Sequence, residues 1–392
     1  MNYNNIYYPD LNTQVDASIF TRENGVSEIH FMIKPDTKTG FANQMDDLQA
    51  AWNRRLKELN IESETVILKR FFMSDLVNQY PLFKEKLANS TASEEGSFGV
   101  SIVEQPPLPD NKIVMWAYHI IDEKKEAKKF MEKNNWVWEH NNCRQIWTTQ
   151  MIDAKVESSF DQMDSIFKSY TPMIESYQLS LRDDVIRTWI YVQNVDANYE
   201  GVVVSRRELF EEKGLTKETN FITSTGIEGR FHNPAVKVSM DALAVSGLQK
   251  GQVQFLNALD HLNPTHEYGV TFERGTSVEY GDRKQIFISG TASIDNKGEV
   301  VHVGDVYQQM HRAIENIEAL LRDTQAELTD LAKIIVYLRD QGDYQIVDQY
   351  LRNRFKGLPY VIVWAPVCRP GWLIEIEGIA LTENRNKNYK NF

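Results

Sequence analysis

Glu375 and Glu377 stand two residues apart near the end of a 392-residue chain, within the run Ile374-Glu375-Ile376-Glu377-Gly378-Ile379-Ala380. Side chains alternate along a strand, so the two acids share one face while Ile374 and Ile376 take the other. A pair of acids on a solvated face would account for the spacing. If that face instead abuts a partly dry crevice, burial raises a carboxyl pKa and lets it donate a proton near neutrality. Cys368-Arg369-Pro370-Gly371 forms the turn into this strand and brings a guanidinium with it. Arg274, beside Gly275, is a second arginine at a strand edge. Each arginine alone suits a structural role equally well; together, flanking the Glu375 strand, they predict a pocket for a small anionic molecule. Arg187, on the strand face of Trp189 and Tyr191, is expected to be a buried structural partner.

Other chemistries lack their residues. Cys368 has no histidine in the neighbouring sequence to make it a nucleophile, so a small, pocket-shaping side chain is the expected role. The eight histidines are scattered, and no nucleophile elbow, phosphate-binding loop or dinucleotide fingerprint occurs. Only Cys143 and Cys368 are present, far apart, which gives neither a disulfide framework nor metal-type spacing. No metal and no cofactor is therefore predicted. The net charge of −12 repels polyanions and argues against nucleic-acid binding. The polar start Met1-Asn2-Tyr3-Asn4-Asn5 resembles no targeting segment, and no run reaches membrane-spanning length. A cytoplasmic protein without a membrane partner is the expectation.

The elements that would position Glu375 recur along the chain. Strand Gln285 to Gly290, a turn at Asp295-Asn296-Lys297-Gly298 leading into a strand Glu299 to Val303, and a helix from Val306 to Leu321 come first. A strand Leu331 to Leu338, a helix Asp343 to Phe355 and strands Val361 to Trp364 and Trp372 to Leu381 follow. The same order appears about 145 residues earlier: Arg144 to Trp147 matches Lys284 to Phe287, Val185 to Val192 matches Leu331 to Leu338, and Tyr199 and Phe210 match Tyr344 and Phe355. That copy closes with Val236 to Ala244. A fainter third copy opens the chain, with strands at Glu28 to Ile33, Thr65 to Phe72, Ser97 to Glu104 and Lys112 to Ile121 and helices at Ala42 to Leu59 and Asp75 to Leu87. Asp122 to Asn135, rich in Lys and Glu, reads as a solvated helix joining copies. Leu259 to Tyr268 reads as a linker. The resulting units are 1–125, 126–262 and 263–392.

Ile288-Ser289-Gly290-Thr291, the long helix and Ile374 to Ala380 resemble the Rid family, also called the YjgF or L-PSP endoribonuclease family, across residues 270–383. Its members are small trimers with sites between subunits. The resemblance thus implies an α+β chain of tandem Rid-like, chorismate-mutase-like units, with mixed sheets, helices on one face and an intrachain pseudo-trimer that is monomeric or further oligomerised. Family deaminases carry an arginine after the proline of the penultimate strand, where this chain has Val361. A longer resemblance, over residues 140–383, is to the chorismatases. Arg187 to Tyr191, Ser224-Thr225-Gly226-Ile227, Arg274-Gly275, Tyr280 to Arg283, Ser289 to Asp295 and Cys368 through Glu375 carry it, while Glu228 replaces an expected glycine and the first 110 residues diverge. It implies Glu375 as the catalytic acid, Arg274, Arg369 and Tyr280 in substrate binding, and Gly281 and Cys368 shaping the pocket as in the subclass forming 3-hydroxybenzoate. The implied reaction is release of pyruvate from chorismate. A Rid-type deaminase and a non-catalytic binder of aromatic carboxylates are the alternatives.

Overall fold

The computed structural model of the chain describes residues 1–36, 38–90, 98–132 and 135–392. Three mixed sheets follow one another. The first contains β1 (Asn2–Tyr3), β2 (Ile6–Tyr8), β3 (Thr13–Thr21), β4 (Val26–Pro35), β5 (Val66–Met73), β6 (Gly99–Glu104) and β7 (Ile113–Asp122), with α1 (Phe41–Glu58) and α2 (Leu76–Ser90) between its strands. The second contains β8 (Lys128–Glu132), β9 (Asn135–His140), β10 (Cys143–Ile152), β11 (Val185–Val192), β12 (Thr223–Glu228) and β13 (Val238–Ser246), with α3 (Ser159–Glu175) and α4 (Val195–Glu212). The third contains β14 (Val253–Leu256), β15 (Gly275–Glu279), β16 (Arg283–Ala292), β17 (Leu331–Leu338), β18 (Tyr360–Trp364) and β19 (Ile374–Glu383), with α5 (Val306–Arg322) and α6 (Tyr344–Arg354).

The strand orders are β1-β3-β4-β7-β5-β6, β8-β9-β10-β13-β11-β12 and β14-β15-β16-β19-β17-β18. Each unit therefore places its last strand fourth in this path, between the third and the fifth, and each ends in one parallel pair. One strand topology is thus present three times, including in the divergent first unit. Apolar stripes of α1 and of α3 and α4 pack on one face of the first and second sheets. The opposite faces share a core with the third sheet, in which Phe72, Trp116, Trp147, Trp189 and Ile335 come from all three units. Inside this core, ion pairs run from unit to unit: Arg70 to Asp241 at 2.9 Å, Arg187 to Glu377 at 2.8 Å and Arg283 to Glu28 at 2.9 Å. They close a ring, first unit to second, second to third, third to first. No helix among the described residues is long and apolar enough to cross a membrane.

Three local expectations are corrected. The segment Asp122 to Asn135 is not a helix; the Asp122 carboxylate accepts from the amides of Glu126 and Ala127 to make a turn, and β8 then pairs with β9. Its lysines decorate an edge strand, where charge blocks further pairing, while Phe130 turns toward the second core. Residues 133 and 134 of that expectation, and Ser97 of the expected strand Ser97 to Glu104, lie outside the described residues. No strand covers Glu299 to Val303; a single bridge joins Ile294 to Val300, and His302 at φ 59° breaks the extended backbone. Finally, β14 pairs with β15, so Val253 to Leu256 belongs to the third unit and the chain changes sheets before Val253 rather than at residue 262.

Candidate active site

Glu375 lies on β19 opposite Ala292 of β16 and Tyr337 of β17, where the second and third units meet. The β16–β19 ladder shifts register between Ile288 and Thr291, and Gly290 sits in that bulge. A methyl group at position 290 would overlap Glu375 Oε1, so only glycine lets the acid lie flat against the strand. From the second unit, Thr225 Oγ1 accepts the Gly290 amide at 3.0 Å and Ser289 Oγ accepts the Ser224 amide at 2.9 Å, which fixes β12 against β16. Gly226 is part of β12, and a side chain there would press on the ring of Tyr199. Glu228 accepts the amides of Asn194 and Val195 at 3.0 and 2.6 Å, anchoring the start of α4, the helix that delivers Tyr199 and Arg206.

These elements enclose about 510 Å³ of space, counted to an open mouth, with Glu375 and Gly290 in one wall and Thr225 and Tyr199 in the facing one. Three guanidiniums line it. Arg206 donates to Thr271 Oγ1 and Ser224 Oγ at 3.3 and 3.4 Å, and Arg274 donates to the Asn263 carbonyl at 3.0 Å. Arg369 stacks over Trp372 with its carbon 5.3 Å from the ring centroid. In a chain of net charge −12 this is a local anion-attracting pocket.

Burial pushes the Glu375 carboxyl up to about 8, the neighbouring Glu377 charge adds to this, and Arg187 and Arg274 oppose it. Glu375 is thus a neutral acid near pH 7. Glu377 is equally buried, yet it accepts from Arg187, Trp189 Nε1 and Lys333 at 2.8, 2.9 and 3.1 Å. Burial alone would raise it; Lys333, Arg187 and Arg70 outweigh burial and hold it at about 2. Cys368 is pushed up to about 12, by burial first and then by Glu375, and its thiol and the Tyr199 hydroxyl hydrogen-bond each other. A thiolate nucleophile is therefore not available here.

The pocket brings together Glu375, Arg274, Arg369 and Cys368 of the expected residues, but not Tyr280 and Gly281. Tyr280 packs edge-on against Phe392 at 4.9 Å, and a side chain at Gly281 would meet the Tyr389 carbonyl and Asn391 Oδ1 at 2.6 Å. The reason is register: Arg283 pairs with Glu383 at one end of the ladder and Ala292 with Glu375 at the other. That separation is roughly 30 Å of strand. The pocket glycine is Gly290. Its signal was a glycine inside a strand, which marks a bulge or close approach; Tyr199 and Arg206 come from another unit and carried no signal of a site, while Thr225 lay in a segment carrying the chorismatase resemblance with no role attached to it.

Register also defines what stands at the Glu375 position elsewhere. Tyr337 pairs with Glu375, Tyr191 with Ser239 and Phe72 with Val114, each following the same bulge near the start of the parallel strand. Only the third unit carries an acid there.

Comparisons with known proteins agree with this architecture. The Endoribonuclease L-PSP family model matches residues 276–382. A RutC family protein of Pyrococcus abyssi is 38% identical over 101 residues, covering 25% of this chain and 79% of the relative. A 3-hydroxybenzoate synthase of Streptomyces hygroscopicus is 27% identical over 237 residues, covering 54% of this chain and 68% of that protein. Among solved structures, a chorismatase crystal structure matches with a TM-score of 0.62 and 20% identity over 81% of this chain and 93% of the other.

Proposed function

We propose that this chain, which belongs to the RutC family and has the fold of a chorismatase with a Rid-like C-terminal unit, cleaves the enolpyruvyl ether of chorismate with Glu375 as the proton donor. The observation carrying this reading is a single buried carboxyl, held neutral near pH 7, in a pocket lined by Arg206, Arg274 and Arg369. Chorismate is a dianion, and fixed guanidiniums supply charge-assisted bonds to its two carboxylates. Glu375 gives its proton to the enolpyruvyl methylene carbon, the ether bond to the ring breaks, and the three-carbon fragment departs as pyruvate. Loss of a ring proton then yields hydroxybenzoate, and chorismate equals pyruvate plus hydroxybenzoate atom for atom. Addition of one water instead gives a dihydroxycyclohexadiene carboxylate. Aromatisation supplies the driving force on the first route, so the chain's task is to orient, protonate and keep water out. Cys368 and the bare backbone at Gly290, both against Glu375, set the space beside the ring and hence the product.

The test is incubation of the purified protein with chorismate, following pyruvate by a coupled assay and separating the aromatic products by chromatography. Pyruvate release that Glu375→Gln abolishes is expected. Wild-type protein that turns over no faster than Glu375→Gln would remove the proposal.

A further inference from the structure

Turned one step round the ring of units, the counterpart of the reaction pocket is the junction of the third unit with the first. There the Lys34 ammonium of β4 donates to the Tyr360 carbonyl of β18 at 3.4 Å. A cleft of about 1330 Å³, counted to its open mouth, occupies this junction. Val114 stands at the position of Glu375, so this junction has no counterpart of that acid. Val361, the place of the family deaminases' arginine, lies in its wall.

The cleft is nonetheless built from charge. Lys34 pairs with Asp16 at 2.5 Å on the first unit's side. Arg352 pairs with Asp348 at 2.7 Å on the third unit's side, and the Tyr360 hydroxyl donates to the other oxygen of Asp348 at 2.7 Å. Asp16 and Asp348 are 6% and 16% exposed at their side chains, so the acids are sunk in the wall. Tyr344, Phe355 and Leu358 supply an apolar surface between them.

We propose that this cleft is a second, non-catalytic ligand site for a small zwitterion of the α-amino-acid class carrying an apolar or aromatic side chain. A ligand with one sign of charge finds each partner already neutralised and leaves an acid or a base facing it. A zwitterion meets both dyads at once, its carboxylate on Lys34 or Arg352 and its ammonium on Asp16 or Asp348, and Asp36 and Lys356 add one more charge of each sign to the lining. The apolar surface takes the side chain. The inference is independent of the role given to Glu375.

Calorimetric titration of the full chain with L-phenylalanine and L-leucine tests it, with 3-phenylpropionate and 2-phenylethylamine as single-charge probes. The expected result is saturable binding of an amino acid with a dissociation constant of about 1 mM or below, at least about tenfold tighter than either single-charge probe. Arg352→Ala, whose side chain is 69% exposed and whose loss leaves the fold intact, and Lys34→Met should each weaken binding about tenfold, with Glu375→Gln unchanged. Absence of binding of both amino acids up to ~10 mM overturns the proposal. So do equal binding of a single-charge probe, binding indifferent to both substitutions, or binding lost in Glu375→Gln alone, which would put the ligand in the reaction pocket.

Discussion

Glu375 and Glu377, two residues apart on one face of β19, are held in opposite charge states near neutrality. Both are buried, at 5% and 1% exposure, so burial by itself would make both neutral. The difference is partners: Glu377 receives Arg187, Lys333 and the Trp189 indole, while Glu375 opens onto the pocket. The ionised Glu377 in turn raises Glu375, so the central ion-pair ring and the acid at the pocket are one electrostatic unit.

Glu375→Gln keeps the shape and removes the proton. Pyruvate release should fall by at least about a hundredfold, the usual scale for a general acid. The thermal midpoint should hold or rise, because a buried carboxyl is replaced by a neutral amide. Unchanged turnover would remove Glu375 from the chemistry.

The protonated form is the active one, and its pKa is raised from 4.5 to about 8. The rate should therefore be flat below pH 8 on this limb and decline above it. Since the folded protein holds this proton more tightly than the unfolded chain, the stability it contributes is complete below pH 4.5 and lost as pH rises through about 8. Denaturant midpoints of wild type and Glu375→Gln should diverge across that window. A parallel pair of curves would contradict the raised pKa.

Removing Glu377 leaves two buried cations without their acid. Lys333 can shed its proton, since burial already lowers it to about 8, but Arg187 cannot. Glu377→Gln should cost roughly 3–5 kcal/mol, the scale for breaking a buried pair from one side. Urea unfolding measures it, and Glu377→Gln with Arg187→Met should recover part of the loss.

Gly290→Ala puts a methyl group where Glu375 Oε1 lies. The acid must rotate away, so turnover should drop by more than about tenfold while the fold is kept. Circular dichroism and a steady-state assay on the same sample separate the two effects. Wild-type kinetics would show that the carboxyl does not need that wall.

Cys368, pushed up to about 12, should resist iodoacetamide at pH 8. Cys368→Ala should stay within about tenfold of wild-type turnover and change the ratio of hydroxybenzoate to dihydroxycyclohexadiene product, read by chromatography. Complete loss of pyruvate release would point to a role for sulfur in the chemistry.

Much of this was legible along the chain because it is written in local pattern. Helical spacing marked α5 from Val306, β-rich runs marked β11 and β17, and alternation put Glu375 and Glu377 on one face. Repetition of the strand and helix order disclosed the three units, and the Cys-Arg-Pro turn pointed to the strand that carries the acid. Three-dimensional contacts decided the rest. Whether a Lys-rich segment is a solvated helix or an edge strand depends on whether β9 is there to pair with it. Which glycine touches Glu375 depends on a register shift across the β16–β19 ladder, which placed Gly290 in the pocket and Gly281 at the far end. Tyr199, Arg206 and Thr225 reach the acid from the preceding unit, well over a hundred residues away, and Glu377 is ionised because Arg187 crosses the same boundary. Composition and spacing fix which elements a segment can form; the charge state of a buried carboxyl is fixed by what the packed units bring within a few ångströms of it.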